Sequence, residues 1–336
     1  MRFVSPFLKN VAYPILHHGG LLSQSLPKGS CAVVNYHGVL PDGYQSCDSF
    51  LDGNLVSKDT LRSHLQLLKS RYHVISPQDF HNWLNGLVSI ESRSVLITCD
   101  DGLLNTLTDM LPVLESEGVR CLFFLLGASC YKIQSRLWYE DLYQLLACER
   151  DQSEDKRRVA PLHARWWEQV QKASALDRHE REEWIRNFQT ECRATIDRPM
   201  PTRWCLLNAD QLSQVAAAGM EIGAHTLSHP VLSACSEDLA RQEIAESKRE
   251  LERILGKPVW AFAYPFGNPG TMGDREVRLA REAGFTCAFV NTGGGTVDRS
   301  QRFKLSRTHV TAEMKLSEFE AHVSGLHHRL QHAVRG

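Results

Sequence analysis

Two short stretches of this 336-residue chain carry residues whose types and spacing could do chemistry. In VLITCDDG (95–102), a run of β-favouring apolar residues ends in two adjacent carboxylates and a glycine. A buried parallel strand delivers acid groups to the rim of a sheet or barrel in this way. Neighbouring strand residues point to opposite faces, so Asp100 and Asp101 diverge unless the chain turns, and Gly102 permits a turn. Two carboxylates held close repel unless a cation sits between them or one takes a proton. The second stretch is HTLSHP (225–230), which follows the strand-like MEIGA. On a helix, His225 and His229 would share a face. Pro230 disfavours the α conformation at His229, so the pair belongs to a turn just past a strand end. Parallel strand ends share one rim. Two histidines and one carboxylate there make a three-ligand site with open positions, suited to catalytic Zn²⁺ or a similar divalent ion, and the other carboxylate is left free to act as a base. Taken alone, the histidine pair reads equally well as structural.

These groups need strands to hold them. Hydrophobic periodicity predicts strands over 30–37, 72–75, 94–100, 119–126, 220–224, 259–264, 285–290 and 303–310. Between them fall helices over 59–69 (capped by Ser57), 76–84 (Ser76-Pro77 at its start), 105–117 (stopped by Gly118), 209–218 and 237–255 (Ser236 to Gly256), then 274–283 and a C-terminal helix over 316–330. The strand–helix–strand alternation argues for parallel βαβ units and a closed or nearly closed (β/α) barrel. From about 137 to 204 the pattern changes to a charged, tryptophan-bearing segment with helices over 142–146, 163–173 and 178–193. It reads as a helical insertion, with the charged run 149–158 as a solvated loop and Pro199 and Pro201 closing it. Residues 1–29 form an N-terminal arm, and residues 30–336 the barrel domain.

The chain is 43% hydrophobic and 23% charged, which suits one large domain with an insertion. A formal net charge of -1 gives no global field toward nucleic acid or anionic lipid, and neither is expected as a primary partner. The 10 cysteines contain no CxxC pair; Cys99, Cys121 and Cys287 lie in strand-like runs as buried small hydrophobes. Free thiols and an N-terminus read as lacking an export signal give the expectation of a cytoplasmic protein, with peripheral contact to the inner membrane as a variant of it. Pro6, Pro14, Lys9 and the His17-His18 pair interrupt the apolar N-terminal stretch, so no integral membrane segment is expected. No GxGxxG or GxxxxGK[ST] follows a strand, which leaves dinucleotide and P-loop binding unsupported.

TCDDG, HTLSHP and FAYPFG, in this order at strand ends, resemble the motifs of the polysaccharide deacetylase family (carbohydrate esterase family 4, the NodB-homology domain), in a bacterial branch that carries FAYPFG. The similarity covers residues 95–310, interrupted by the insertion, and NYHGV (35–39) resembles what bacterial members carry upstream. The resemblance implies a distorted (β/α)₇ barrel and metal-dependent removal of acetyl groups from N-acetylated sugars. It implies that Asp101, His225 and His229 ligate the metal, with Zn²⁺ in first place, and that Asp100 is the general base. Phe266 takes the family's tyrosine position, whose main-chain N–H helps hold the oxyanion, and Tyr264 stands beside it. Thr226 and Ser228 could brace a histidine, hold substrate acetate or simply stabilise the turn. The family's arginine in the FAYPFG segment aligns with Ala263, so the base lacks its usual partner; Arg307 could orient Asp100 instead, or bind substrate. The late leucine-plus-histidine motif that supplies the family's general acid has no clear match; LSRTH (305–309) is the nearest stretch, which makes His309 the candidate acid. His37, at a strand end, is a candidate for the active centre.

The expected activity is hydrolysis of the N-acetyl group of an N-acetylhexosamine in a polysaccharide or glycan precursor, with release of acetate and an acetylated carbohydrate as partner. Three rivals differ in class: a carbohydrate O-acetyl esterase or other amide hydrolase on the same site, a barrel that binds glycan without turning it over, and a two-His–one-carboxylate iron oxygenase. The adjacent double Asp and the α/β alternation argue against the last.

Overall fold

A computed structural model of the chain describes residues 6–23, 26, 29–46, 48–127, 136–152, 162–192 and 201–333. Positions 153–158 of the charged run, and Pro199, lie outside the described residues.

Eight strands alternate with helices in the order the apolar runs imply: β1 (Cys31–Tyr36), β2 (His73–Val74), β3 (Ser94–Cys99), β4 (Cys121–Leu125), β5 (Glu221–Ala224), β6 (Ala261–Ala263), β7 (Cys287–Phe289) and β8 (Thr308–His309). All ladder pairs are parallel, in the order β7-β6-β5-β4-β3-β1-β8, with β2 beside β3. From β3 to β7 consecutive strands thus lie side by side, while β1 skips β2 to pair with β3, and helical crossovers cover the outside. The chain after β7 links the two edges. Leu305 pairs with Phe289, and three residues later Thr308 and His309 pair with Val34 and Asn35 of β1. The sheet curls into a distorted (β/α) barrel.

Period-two alternation divides the strands into two buried sets. Ala32, Val34, Tyr36, Val95, Ile97, Cys99, Phe123 and Leu125 pack outward against the helices in one core cluster. Cys31, Val33, Leu96, Leu122, Phe124, Ala261, Ala263, Cys287, Phe289 and Leu305 fill the barrel in another. Continued two residues at a time, this inner set becomes polar near the strand C-termini: Cys31 and Val33 lead to Asn35, Leu96 to Thr98 and Asp100, and Leu305 to Arg307 and His309. Side-chain period therefore selects which groups reach the barrel mouth.

Helix boundaries follow their caps. Ser57, Ser76 and Ser236 accept from the third residue on, and Gly118 and Gly256 end their helices in the left-handed conformation. Four expectations need correction. The predicted helix over 105–117 opens with a wide π turn, Thr106–Met110, before the α-helix Leu111–Glu117. Pro112 has no N–H to offer the preceding turn and its ring crowds the carbonyl four residues back, which a wider turn relieves. The last strand shrinks to Thr308–His309, because the chain around it moves from one sheet edge to the other. The C-terminal helix is two, Leu316–Val323 and Leu326–Ala333, parted at Gly325 with φ 73°. In the insertion, helix Trp138–Gln152 runs into the charged segment expected to be loop, and is followed by Leu162–Ser174, Arg178–Cys192 and Pro201–Trp204.

The insertion has its own apolar cluster. Leu142, Tyr143, Leu146, Leu162, Trp166, Val170 and Trp204 are joined by Leu51 and Val231 of the barrel loops, so this element is packed onto the barrel mouth. At the other end Tyr13 is fully buried and donates to, or accepts from, His327, fastening the N-terminal helix Tyr13–His18 to the C-terminal helices. No helix among the described residues is long and apolar enough to cross a membrane.

Candidate active site

The turn after β3 begins one residue earlier than Gly102. Asp101 itself is left-handed, with φ 72°, followed by Gly102 at the same angle. The left-handed angle favours glycine at 102, and a Cβ there would also stand 2.6 Å from Leu125 Cδ2, so the tip of that side chain would have to shift. This turn sends the two carboxylates to different partners.

Asp101 faces the histidines. Its Oδ1 lies 3.4 Å from His225 Nε2 and 3.3 Å from His229 Nε2. One donor atom from each of the three residues falls within 4.8 Å of the others, and all three side chains are buried. A tetrahedral ion with bonds of ~2.0–2.1 Å sets its ligand atoms roughly 3.3–3.4 Å apart, so the observed spacing matches that edge. Hydrogen bonding supports the same reading. His225 Nδ1 donates to the Ala263 carbonyl at 2.8 Å, which leaves the Nε2 lone pair of a neutral ring pointing at the carboxylate. Asp101 Oδ1 is buried without a hydrogen-bond partner among the described residues. Converging lone pairs with nothing between them are unfavourable, and a cation resolves the conflict. Burial pushes the His225 pKa down, but Asp101 and Asp100 outweigh it and the net shift is upward: the site attracts positive charge. His229 is held below its ordinary value by burial. Burial also works against ionised Asp101, yet the two histidines hold its carboxyl well below the usual range. The donor set fits a divalent metal.

Asp100 points into the barrel, where Arg307 meets it with two parallel bonds of 2.7 Å, Nη1 to Oδ1 and Nη2 to Oδ2. Asn35 Nδ2 donates to Oδ2 at 2.9 Å, and Asn35 Oδ1 accepts from Arg307 Nη1 and Thr98 Oγ1. Arg307 is fully buried, with Phe124 and Phe289 under its guanidinium. Of the two uses open to Arg307, the structure places it on Asp100. Asp100 thus has an arginine partner although Ala263 stands in the FAYPFG segment. Burial raises the Asp100 pKa, and Arg307 together with His225 and His37 more than offsets that, so the carboxyl is held below its usual value. Three donors occupy four lone-pair sites, and Oδ1 keeps one open.

His309 and His37 line the same cavity of about 270 Å³. Their rings meet edge to face at 4.8 Å. Asn54 and Asn291 hold the two nitrogens of His309, at 3.0 and 3.1 Å. Burial, with His37 alongside, pushes the His309 imidazole down to about 3. His37 Nδ1 has no hydrogen-bond partner among the described residues.

The other candidates separate. Phe266 sits in the left-handed region with φ 59°, its ring on His229 at 4.8 Å, and its N–H meets no acceptor among the described residues. Tyr264 borders the cavity, but its hydroxyl donates away from it to the Phe303 carbonyl. Thr226 turns inward on its own loop: its hydroxyl donates to the His225 carbonyl and accepts from His229 N. Of its possible roles, this is turn bracing.

Sequence reasoning missed several groups of the site. Asn35 was a lone amide in an apolar strand, and that anomaly was the available signal. Tyr139, from the insertion, packs in tilted contact with His229 at 4.8 Å and Phe266 at 5.4 Å. Asn54 and Asn291 come from loops without distinguishing pattern.

Fold and site together define a parallel α/β barrel with an Asp–His–His cation cradle at the C-terminal ends of its strands. The family model described as polysaccharide deacetylase matches residues 88–288, more than half of the chain, and the chain belongs to that family. YxkH of Bacillus subtilis (strain 168) is 20% identical over 273 residues, 81% of this chain and 71% of that one. Solved structures similar in fold include the Streptococcus pyogenes deacetylase PplD in complex with acetate (TM-score 0.59, 16% identity, 88% of this chain and 99% of that one). A de-N-acetylase from Aggregatibacter actinomycetemcomitans gives 0.58, 16%, 86% and 98%. IcaB from Ammonifex degensii gives 0.57, 18%, 89% and 99%.

Proposed function

We propose that this protein is a divalent-ion-dependent N-deacetylase that hydrolyses the acetamide of an N-acetylhexosamine in a polysaccharide or glycan precursor. The observation that carries the proposal is the pairing of two buried carboxylates with different environments, one aimed at two histidines and one clamped by Arg307. Asp101, His225 and His229 would hold the ion, with Zn²⁺ suited to the nitrogen-rich donor set. A bound dication supplies Lewis acidity, lowering the pKa of water and polarising a carbonyl.

The chain's own groups supply the rest. Asp100 takes the proton of the attacking water at the open site on Oδ1, and Arg307 and Asn35 keep that carboxylate ionised and aimed. The Phe266 N–H is free to donate to the carbonyl oxygen as it gains charge. Water oxygen bonds to the acetyl carbon, the C–N bond breaks, and the nitrogen takes a proton from a histidine. Acetate and an amino sugar result. Tyr139, Phe266 and Trp166 give the cavity an aromatic wall against which a sugar ring can lie. The choice of an amide over an ester draws on the description of one similar structure as a de-N-acetylase.

His309 is the proposed proton donor, and one observation favours His37 as a second reading. His309 has both nitrogens engaged and a depressed pKa, whereas His37 presents an unpartnered nitrogen at the same cavity. An acetate-release assay across N- and O-acetylated sugars, with and without chelator, tests the function. Release from N-acetylated oligosaccharides that chelator abolishes is expected; release only from O-acetyl esters, or release indifferent to chelator, would refute it. His37→Ala and His309→Ala, compared in kcat, decide the donor.

A further inference from the structure

The turn that carries the two histidines is not relaxed backbone. Thr226 and His229 are both left-handed, with φ 66° and 60°, and a β-branched residue rarely adopts that conformation. Such a turn persists only if its surroundings hold it.

The barrel supplies part of the support. Glu243, buried on helix Glu237–Leu255, accepts from Ser228 N at 2.9 Å and from the Ser228 hydroxyl. The insertion supplies the remainder. Trp138 Nε1 donates to the Ser228 carbonyl at 2.9 Å, and Arg181 donates to Ser228 Oγ. Arg181 is 2% exposed, sits over Trp138 with its guanidinium carbon 4.9 Å from the ring centre, and has its counterion in Glu243 at 3.9 Å. Ser228 precedes the ligand His229 directly, and all of its polar atoms are taken.

We propose that Arg181 is a positioning residue of the cation site: through Ser228 and Glu243 it holds the strained turn in which His229 faces the ion, so the helical insertion is part of the ion-binding apparatus. This rests on the divalent-ion reading above. A solvated cap would need no buried guanidinium, and a buried charge without function is costly to keep. The pairing also explains why arginine is used. A planar guanidinium can stack on Trp138 while donating at its edge to Ser228, and a lysine ammonium cannot do both. Removal of Arg181 strips the buried Glu243 carboxylate of its counterion and so alters its hold on Ser228.

The test uses the full chain and reads ion binding, not turnover. Zn²⁺ affinity is measured by competition with a chromophoric chelator, the geometry by the visible absorption of the Co²⁺-loaded protein, and the fold by thermal unfolding of the ion-free protein. Arg181→Met is expected to weaken Zn²⁺ about 10- to 100-fold, the usual range for an outer partner of a metal ligand, and to change the Co²⁺ bands while unfolding stays cooperative. Trp138→Phe, which keeps the ring and removes the donor, is expected to weaken Zn²⁺ in the same direction by less, and it decides the matter if Arg181→Met fails to fold. The double variant Arg181→Met/Glu243→Gln is expected to bind no worse than Arg181→Met, because the stranded charge is gone. Single variants that bind Zn²⁺ within twofold of the parent, with unchanged Co²⁺ bands, overturn the positioning role and leave the deacetylase reading standing. A parent protein that binds neither Zn²⁺ nor Co²⁺ overturns both.

Discussion

Asp100 and Asp101 are the same residue type one bond apart, and their surroundings give them different work. Asp101 meets two imidazole nitrogens and no hydrogen-bond donor among the described residues; Asp100 meets a guanidinium and an amide. In the proposed reaction a cation at the mouth would answer the charge on Asp101, while Arg307, built into the barrel, answers that on Asp100. The first carboxylate would then serve binding and the second proton transfer. Asp100→Asn keeps the size of the side chain and removes its basicity. It is expected to lower kcat for acetate release at least 100-fold, in the range that general-base loss produces. Zn²⁺ affinity should stay within a few-fold of the parent, because the ligand set is intact. Near-normal turnover in this variant would remove Asp100 from the reaction.

At the scale of elements, the strand-to-turn junction after β3 determines whether that division of labour exists. A straight continuation would aim the two carboxylates at opposite faces of the sheet, and the left-handed pair Asp101-Gly102 prevents it. Gly102→Ala puts a Cβ into a conformation that costs about 1–2 kcal/mol for a non-glycine residue and against Leu125 at 2.6 Å. A loss of roughly 1–3 kcal/mol in denaturant unfolding is expected, together with weaker Zn²⁺ binding because Asp101 follows the turn. Unchanged stability would mean that the turn relaxes freely and does not set the site. This junction was legible in the sequence because a glycine next to paired carboxylates at the end of an apolar run has few other meanings. Caps at Ser57, Ser76, Ser236, Gly118 and Gly256 were legible for the same reason: each answers a local demand of the backbone. The Asp100–Arg307 pair was half legible. Arg307 and Asp100 are 207 residues apart, and only the barrel's inward period, through Leu305 and Leu96, brings them together. The π turn before Pro112 and the shortened last strand were not legible, since both depend on what the chain must pack against next. Tyr139 was invisible because its segment reads as helix whichever face it turns to the barrel.

At the scale of the whole molecule, one buried charge cluster joins three separate parts of the chain. Arg203, fully buried near the end of the insertion, donates to Asp52 at 2.7 Å and to both oxygens of Glu140 at 3.2 Å. Asp52 belongs to the loop region that also carries Asn54, the partner of His309. Glu140 follows Tyr139, whose ring packs against His229. The cluster thus ties insertion, loop and barrel mouth into one unit, and its protonation should register in global stability. Burial pushes the Glu140 carboxyl up to about 7, with Arg203 offsetting only part of the effect. In the unfolded chain the same group titrates near its ordinary value of 4.5. Between those limits the folded protein keeps a proton that the unfolded chain has released, so stability falls as pH rises through that window and levels off above it. The full effect is on the order of 3 kcal/mol, from a displacement of roughly 2.5 pKa units. Glu140→Gln cannot titrate. With chelator present, so that ion occupancy does not vary with pH, the parent is expected to lose stability relative to Glu140→Gln as pH is raised from 4.5 to 7.5. A difference between the two proteins that stays constant across this range would show that Arg203 keeps Glu140 ionised throughout, and that the cluster ties the three segments together by a permanent ion pair without any proton exchange.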